Sequence, residues 1–275
     1  MGKLDGKVAF ISGMARGQGR SHAVRLAEEG CDIIGVDICR DIGTVPYPGA
    51  TPADLQETVR LVQKAGRSCH AVEADVRDLT ALQTVADEGV KRFGRLDVVV
   101  ANAGIASFSP ALDMTEDTWD TMIAINLTGV WKTVKATVPH MITAGHGGAV
   151  IMTSSMGALV AYQNVAHYAA AKAGLGGLMQ TLAKELAPHW IRVNTILPTS
   201  VATDMVLNDA TYRLFLPGVP NPTREQYEAA AGGLNTLPVT LIEPVDISHA
   251  VVYLASDDAR YVTGNSHMVT AGGHL

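Results

Sequence analysis

Three observations predict an α/β fold, a doubly wound parallel sheet of about seven strands with helices on both faces. Short apolar runs of strand length alternate with amphipathic helical stretches along the whole chain. The first run, Lys7 to Ser12, leads straight into the glycine-rich turn Gly13-Met14-Ala15-Arg16-Gly17-Gln18-Gly19 and then a helix. Several runs end on residues suited to a ligand, among them Asp37, Asn102, Ser155 and Pro198. A parallel winding gathers these in the crevice at the carboxyl ends of the strands. With 275 residues, 47% of them hydrophobic, one domain spanning 1–275 can bury a large core.

Composition narrows the partners. The net charge is −6 and lysine and arginine form no block, which argues against nucleic acid or an anionic membrane. No apolar run approaches the ~18 residues of a membrane span, and Met1 leads into charged residues with no secretory hydrophobic region. Cys31, Cys39 and Cys69 lack metal-ligand spacing and read as thiols in a reducing cytoplasm. The nine histidines are scattered, so no catalytic metal is expected.

The first strand, turn and helix read as a Rossmann-type dinucleotide site. Gly13 permits the tight turn, Gly17 lets backbone approach a pyrophosphate, and Gly19 lets the helix pack on the strand. The helix N-terminus then offers free N–H groups to the anion. The second strand, Asp32 to Asp37, ends on a carboxylate that can accept from ribose hydroxyls and would repel a 2′-phosphate. NAD is therefore expected over NADP, although Arg16 and Arg40 lie near enough in sequence to hold a phosphate. Next, Ile38 to Pro52 is long for such a connection and rich in proline. It is expected to fold over the adenosine half of the cofactor; a surface insertion is the alternative.

A helix is predicted from Ala53 to Ala65, then a strand from Ser68 to Ala74 leading to Asp75-Val76. A helix over Leu79 to Phe93 precedes a central strand, Leu96 to Val100, that ends in Ala101-Asn102-Ala103-Gly104. A long helix over Glu116 to Met141 carries Asn126 in its middle, where asparagine competes for backbone bonds. The strand Ala149 to Met152 runs out at Ser154 and Ser155. Beyond it Tyr168 and Lys172, four apart, share one helical face.

Their pairing has a chemical reason. A free tyrosine has a pKa near ~10, and bringing it to ~7 takes roughly 4 kcal/mol in favour of phenolate. Burial works the other way. A nearby cation must outweigh it, and Lys172 is placed to supply one. A strand-end serine hydroxyl can hold a substrate oxygen while Tyr168 exchanges its proton. The sixth strand, His189 to Leu197, closes on Pro198-Thr199-Ser200-Val201-Ala202-Thr203. From Asp204 to Pro238 an apolar, proline-bearing stretch departs from the repeating unit and is suited to closing over a substrate or to oligomer contact. With Met156, Leu159 and Val160 it points to a hydrophobic alcohol or ketone. A helix from Val245 to Ala255 and a strand near His267 to Thr270 complete the chain.

Taken together, these motifs resemble the short-chain dehydrogenase/reductase family over nearly the whole chain. The glycine turn is similar to the family's T-G-x-x-x-G-x-G with Ser12 for threonine, and Asn102-Ala103-Gly104 to its N-N-A-G with Ala101 for the first asparagine. The family's catalytic serine lies thirteen residues before the tyrosine of Y-x-x-x-K, which selects Ser155. The resemblance implies that Asp75 and Val76 contact adenine, that Asn102 ties strands together, and that Ala103 and Gly104 leave room for the second ribose. It further implies that Asn126 bends its helix and holds a water linking Lys172 to solvent, completing a catalytic set with Ser155, Tyr168 and Lys172. Pro198 matches the family's Pro-Gly, whereas Thr199 replaces the glycine. Val201 and Thr203 fall where the nicotinamide carboxamide is held. Family habit implies a homotetramer.

A narrower resemblance, to the mycofactocin-coupled branch that includes carveol dehydrogenases, lies in ARGQGRSHAVRLAEEG, the insertion after VDIC, and PTSVAT. It implies that NAD stays bound and is reoxidised by the redox partner mycofactocin. The expected reaction is oxidation of a hydrophobic secondary alcohol by NAD. Two alternatives stay open: an NAD(P)H-dependent carbonyl or 3-oxoacyl reductase, which calls for a basic residue in place of Asp37, and a non-catalytic NAD(H)-binding sensor, which calls for a broken Ser/Tyr/Lys set.

Overall fold

The computed structural model describes residues 2–275. Seven strands, β1 (Val8–Ser12), β2 (Asp32–Asp37), β3 (Cys69–Glu73), β4 (Val98–Ala101), β5 (Gly148–Thr153), β6 (Ile191–Pro198) and β7 (Ser266–Val269), form one parallel sheet in the order β3-β2-β1-β4-β5-β6-β7. The winding reverses between β1 and β4, so their carboxyl ends flank the switch-point crevice. The register places Ser12 beside Ala101, which brings the glycine turn against Asn102. Among the described residues the helices are α1 (Gly17–Glu28), α2 (Pro52–Lys64), α3 (Leu79–Phe93), α4 (Glu116–Ile123), α5 (Gly129–Ala144), α6 (Ala166–Leu186), α7 (Asp209–Phe215), α8 (Arg224–Ala231) and α9 (Pro244–Ala255). None is long and apolar enough to cross a membrane.

Strand alternation splits the core in two. Val8 and Phe10 of β1 pack with Leu82 of α3, Val134 of α5 and Leu175 of α6. Ala9 and Ile11 face the other way, toward Leu26 of α1, Leu55 of α2 and Val251 of α9. Both faces of the sheet are thereby covered, as a parallel sheet requires.

Element ends follow local chemistry. The α3 helix has its predicted bounds because the Asp78 carboxylate accepts from Ala81 N and Gly94 closes it in the left-handed region at φ 81°. β4 begins at Val98, two residues later than expected. β6 begins at Ile191, not His189, because Ala187–His189 form a 3₁₀ turn and Trp190 is left-handed at φ 55°. The long helix is two helices, α4 and α5, joined by a π-helical turn over Ala124–Thr128, and it continues to Ala144. The stretch from 204 to 238, read as departing from the repeating unit, holds the short helices α7 and α8. Asn208 caps α7 and Thr223 forms a capping box with Gln226 at the start of α8. Tyr227 is fully buried, stacked on Tyr212 and met edge-on by Phe215, each at 5.1 Å.

Gly19 lies where α1 crosses the turn. A Cβ there would run into the Gly13 carbonyl and come within 2.9 Å of Asn102 Nδ2. Gly19→Ala is expected to destabilise the fold by about 2 kcal/mol or more, read as a lower urea midpoint at unchanged m-value.

Candidate functional site

One cavity at the carboxyl edge of the sheet is lined by nearly all the catalytic and cofactor-binding residues singled out from the sequence. The exceptions are Ala15 and Asn126, fully buried behind its wall. Its floor is cross-linked at the switch point. Ser12 Oγ accepts from Asn102 N at 3.1 Å and Ala103 N at 3.2 Å, while Asn102 Nδ2 donates to the Ser12 and Gly13 carbonyls, each at 3.2 Å. Asn102 thus joins β1 to β4, and the hydroxyl that Ser12 shares with threonine is in use.

At one end, α1 starts with no side-chain cap, leaving its first N–H groups facing the cavity. Gly17 is left-handed at φ 55°, and a Cβ there would sit 3.3 Å from Thr203 Cγ2. Asp37 closes β2; its carboxylate accepts from Ala15 N at 2.9 Å and Cys39 N at 3.2 Å. Lone pairs remain on both oxygens for a diol. An uncapped helix terminus and a fixed carboxylate fit the pyrophosphate and ribose of a dinucleotide. Both arginines that could have held a further phosphate face acids: Arg16 pairs with Asp204 at 3.0 Å and Arg40 with Asp75 at 3.4 Å. At Asp75 burial opposes the charge, but its Arg77 hydrogen bonds outweigh this and hold the carboxyl below its usual range.

At the other end, Ser154 Oγ donates to the Lys172 carbonyl at 2.9 Å, which fixes β5 to α6. Ser155 Oγ accepts from Gly157 N at 3.0 Å and turns into the cavity. A Cβ at Gly157 would lie 3.4 Å from Ser155 Oγ and 3.5 Å from Tyr168 Cε1, so the serine and the phenol share one spot. Lys172 Nζ donates to the Thr153 carbonyl at 2.7 Å and lies 5.8 Å from the Tyr168 ring centre. Asn126 Oδ1 accepts from Ile105 N at 2.8 Å, and its Nδ2 donates to Ile105 O at 2.9 Å. The π turn therefore pins the segment following Gly104 beside the lysine.

Electrostatics departs from the simple expectation for Tyr168. Burial raises its phenol above the ordinary tyrosine value, and the Ser155 hydroxyl offsets this only in part. Burial also lowers the Lys172 ammonium to about 8. In the protein alone, desolvation outweighs the Ser155 hydrogen bond at the phenol.

Sequence reading missed Tyr47. It comes from the 38–52 insertion, is 8% exposed, lines the cavity, and accepts from Ala106 N at 3.0 Å. The insertion therefore runs the length of the cavity instead of covering the adenosine end alone. The one available signal was an aromatic amid the prolines of a long loop. Three apolar residues expected at the substrate do not line the cavity: Met156 is buried beneath Gly273, Leu159 is largely exposed, and Val160 stands outside.

The depressed Lys172 value has a consequence for stability. Its folded pKa lies below its unfolded one, so the native state binds fewer protons between about pH 8 and 10.5 and stability contributed at this site rises across that window. Below pH 8 the burial costs roughly 3 kcal/mol. Lys172→Met is expected to gain relative to the wild type at pH 7, and to lose that advantage by pH 10.5, in thermal melts.

Residues 7–212 match the short chain dehydrogenase family. The chain is 50% identical to the (−)-trans-carveol dehydrogenase of Rhodococcus erythropolis over 277 residues, covering 100% of both. It superposes on a carveol dehydrogenase from Mycobacterium avium in complex with NAD at TM-score 0.98, with 52% identity and 99% of each chain covered. A short chain dehydrogenase from Mycobacterium paratuberculosis bound to NAD gives TM-score 0.91, 42% identity and 99% coverage of each. With the switch-point crevice, the glycine turn and the Ser155/Tyr168/Lys172 cluster all in place, the chain belongs to the short chain dehydrogenase family.

Proposed function

We propose that the protein oxidises a hydrophobic secondary alcohol, terpenoid and carveol-like, to its ketone. The observation that carries this is one cavity with Asp37 and the uncapped α1 at one end and Ser155, Tyr168 and Lys172 at the other. NAD, when bound, supplies the hydride acceptor and a positive charge beside the phenol. Gly13, Ala15, Arg16, Gly17, Gln18 and Gly19 would cradle its pyrophosphate, Asp37 the adenosine ribose, and Asp75 and Val76 the adenine. Ala103, Gly104, Lys172, Pro198, Val201 and Thr203 would hold the nicotinamide half. The carboxylate of Asp37 and the acid partners of Arg16 and Arg40 favour NAD over a 2′-phosphorylated cofactor.

Ser155 and Tyr168 hold the alcohol hydroxyl, and Tyr168 as phenolate takes its proton. Because burial raises the phenol, Lys172 alone does not deliver the phenolate; it needs the second cation that the bound cofactor brings. Asn126 positions the Ile105 backbone and, through a water, links Lys172 to solvent. Met205 and Val206 supply apolar wall for the substrate.

Retention of NAD and its reoxidation by mycofactocin belong to the same proposal. Arg16 supports it by donating to the Pro48 carbonyl of the insertion while pairing with Asp204 of the closing segment, which bridges the two over the cavity. A cytoplasmic setting is supported by three free thiols, and a homotetramer by the half-exposed Trp119 and Trp131 on α4 and α5.

Tyr168→Phe is expected to keep NAD affinity and lose turnover by about a thousandfold; ordinary rates on a panel of terpene and steroid alcohols with an artificial electron acceptor would remove the assignment. Denatured, freshly purified protein is expected to release NAD(H) into the supernatant. Arg16→Ala is expected to lose it on dialysis faster than the wild type, and an empty wild-type supernatant would count against retention.

A further inference from the structure

Thr199 stands where the family resemblance sets a glycine. It is 8% exposed just after β6, on the wall of the cavity, and its Oγ1 donates to Asn235 Oδ1 at 2.7 Å. Asn235 is equally buried and its amide is fully used, with Nδ2 donating to Val239 O at 2.8 Å and Thr240 O at 3.3 Å. Beyond it the chain is tied down. Ile242 bridges to Val201, Thr236 Oγ1 donates to Gly272 O at 2.9 Å, and Leu237 N donates to Ala271 O at 2.9 Å.

The closing segment from 204 to 233 is held in its middle by buried Tyr227 and by Thr240 Oγ1 on Glu228 O at 3.2 Å, and its two ends are anchored with unequal strength. At its start, Asp204 is 64% exposed in its pair with Arg16, and such an ion pair in water is worth little. At its end, Thr199–Asn235 is a buried hydrogen bond whose rupture leaves an amide oxygen unpaired. The two ends differ in what it takes to let go, and the Asp204 end is the weaker.

We infer that the Thr199–Asn235 hydrogen bond is the pin on which the substrate-closing segment turns, making both positioning residues that set how large an alcohol the site accepts. The inference rests on the alcohol-oxidising reading above. A second contact ties the pin to the chemistry. A Cβ on Gly273 would lie 2.7 Å from Met156 Sδ and 2.9 Å from Asn235 Oδ1, so the C-terminal tail, Asn235 and the residue after Ser155 meet at one point. A shift of Asn235 displaces the segment that carries Met205 and Val206, while Ser155 stays held by the Gly157 N–H. Bulky alcohols that touch that wall feel the shift. A small alcohol held only by Ser155 and Tyr168 does not.

The test compares Thr199→Val, which keeps the shape and removes the donor, with Thr199→Ser, which keeps the donor. Kinetics are measured on carveol and on 2-propanol, NAD affinity by calorimetry, and amide hydrogen exchange over residues 204–233. Losing a buried hydrogen bond corresponds to about a tenfold change. Thr199→Val is expected to raise KM for carveol about tenfold while KM for 2-propanol and the Kd for NAD stay within twofold. Exchange over 204–233 should quicken with β1 to β6 unchanged, and Thr199→Ser should restore both. Equal losses on the two alcohols, or unchanged exchange, would overturn the inference. If Thr199→Val does not fold, Thr199→Ala carries the same comparison. If the wild type turns over neither alcohol, the alcohol-oxidising reading fails by itself and the exchange comparison still decides whether the pin exists.

Discussion

A buried ammonium is the constraint from which the rest of the site follows. Lys172 is 4% exposed and donates to a single described acceptor, the Thr153 carbonyl at the end of β5. A charge so placed is costly unless something holds it. Here β5 and α6 are locked to one another twice, by Lys172 Nζ on Thr153 O and by Ser154 Oγ on Lys172 O. Those bonds hold Tyr168, one turn earlier on α6, beside Ser155. The same desolvation that lowers the amine raises the phenol.

Around this end the chain builds its enclosure from two additions to the sheet. The insertion after β2 reaches Ala106 through Tyr47, and the segment after β6 reaches back through Asp204. Arg16, at the mouth of the glycine turn, touches both. The two additions differ in their footing. The insertion ends in a Thr51 capping box that starts α2, and the later segment ends in a buried node shared with the C-terminal tail. Closure over the cavity is therefore a matter of exposed contacts between parts that are each firmly rooted.

Much of this was legible along the chain because it depends on local periodicity and on residues at strand ends. β2 and α3 have their expected bounds, and the strand-end residues Asp37, Asn102, Ser155 and Pro198 share a cavity, since parallel winding leaves them no other place. Errors arose where a local signal was overruled or overlooked. Trp190 took a left-handed conformation that delayed β6. The capping box at Thr223 lay in a stretch read only as departing from the repeating unit. Met156 looked like substrate wall from its apolar character, yet the C-terminal tail covers it.

The sequence by itself determined the order of elements, the glycine turn and the pairing of Tyr168 with Lys172, because each is set by spacing within a few residues. Family spacing already singled out Ser155; only the tertiary structure gave Ser154 its own task, a hydrogen bond to the Lys172 carbonyl. It alone placed Tyr47 on the cavity wall and gave Thr199 a partner thirty-six residues away. Burial and long-range hydrogen bonding are properties of neighbours in space, and no pattern along the chain records which neighbours those are.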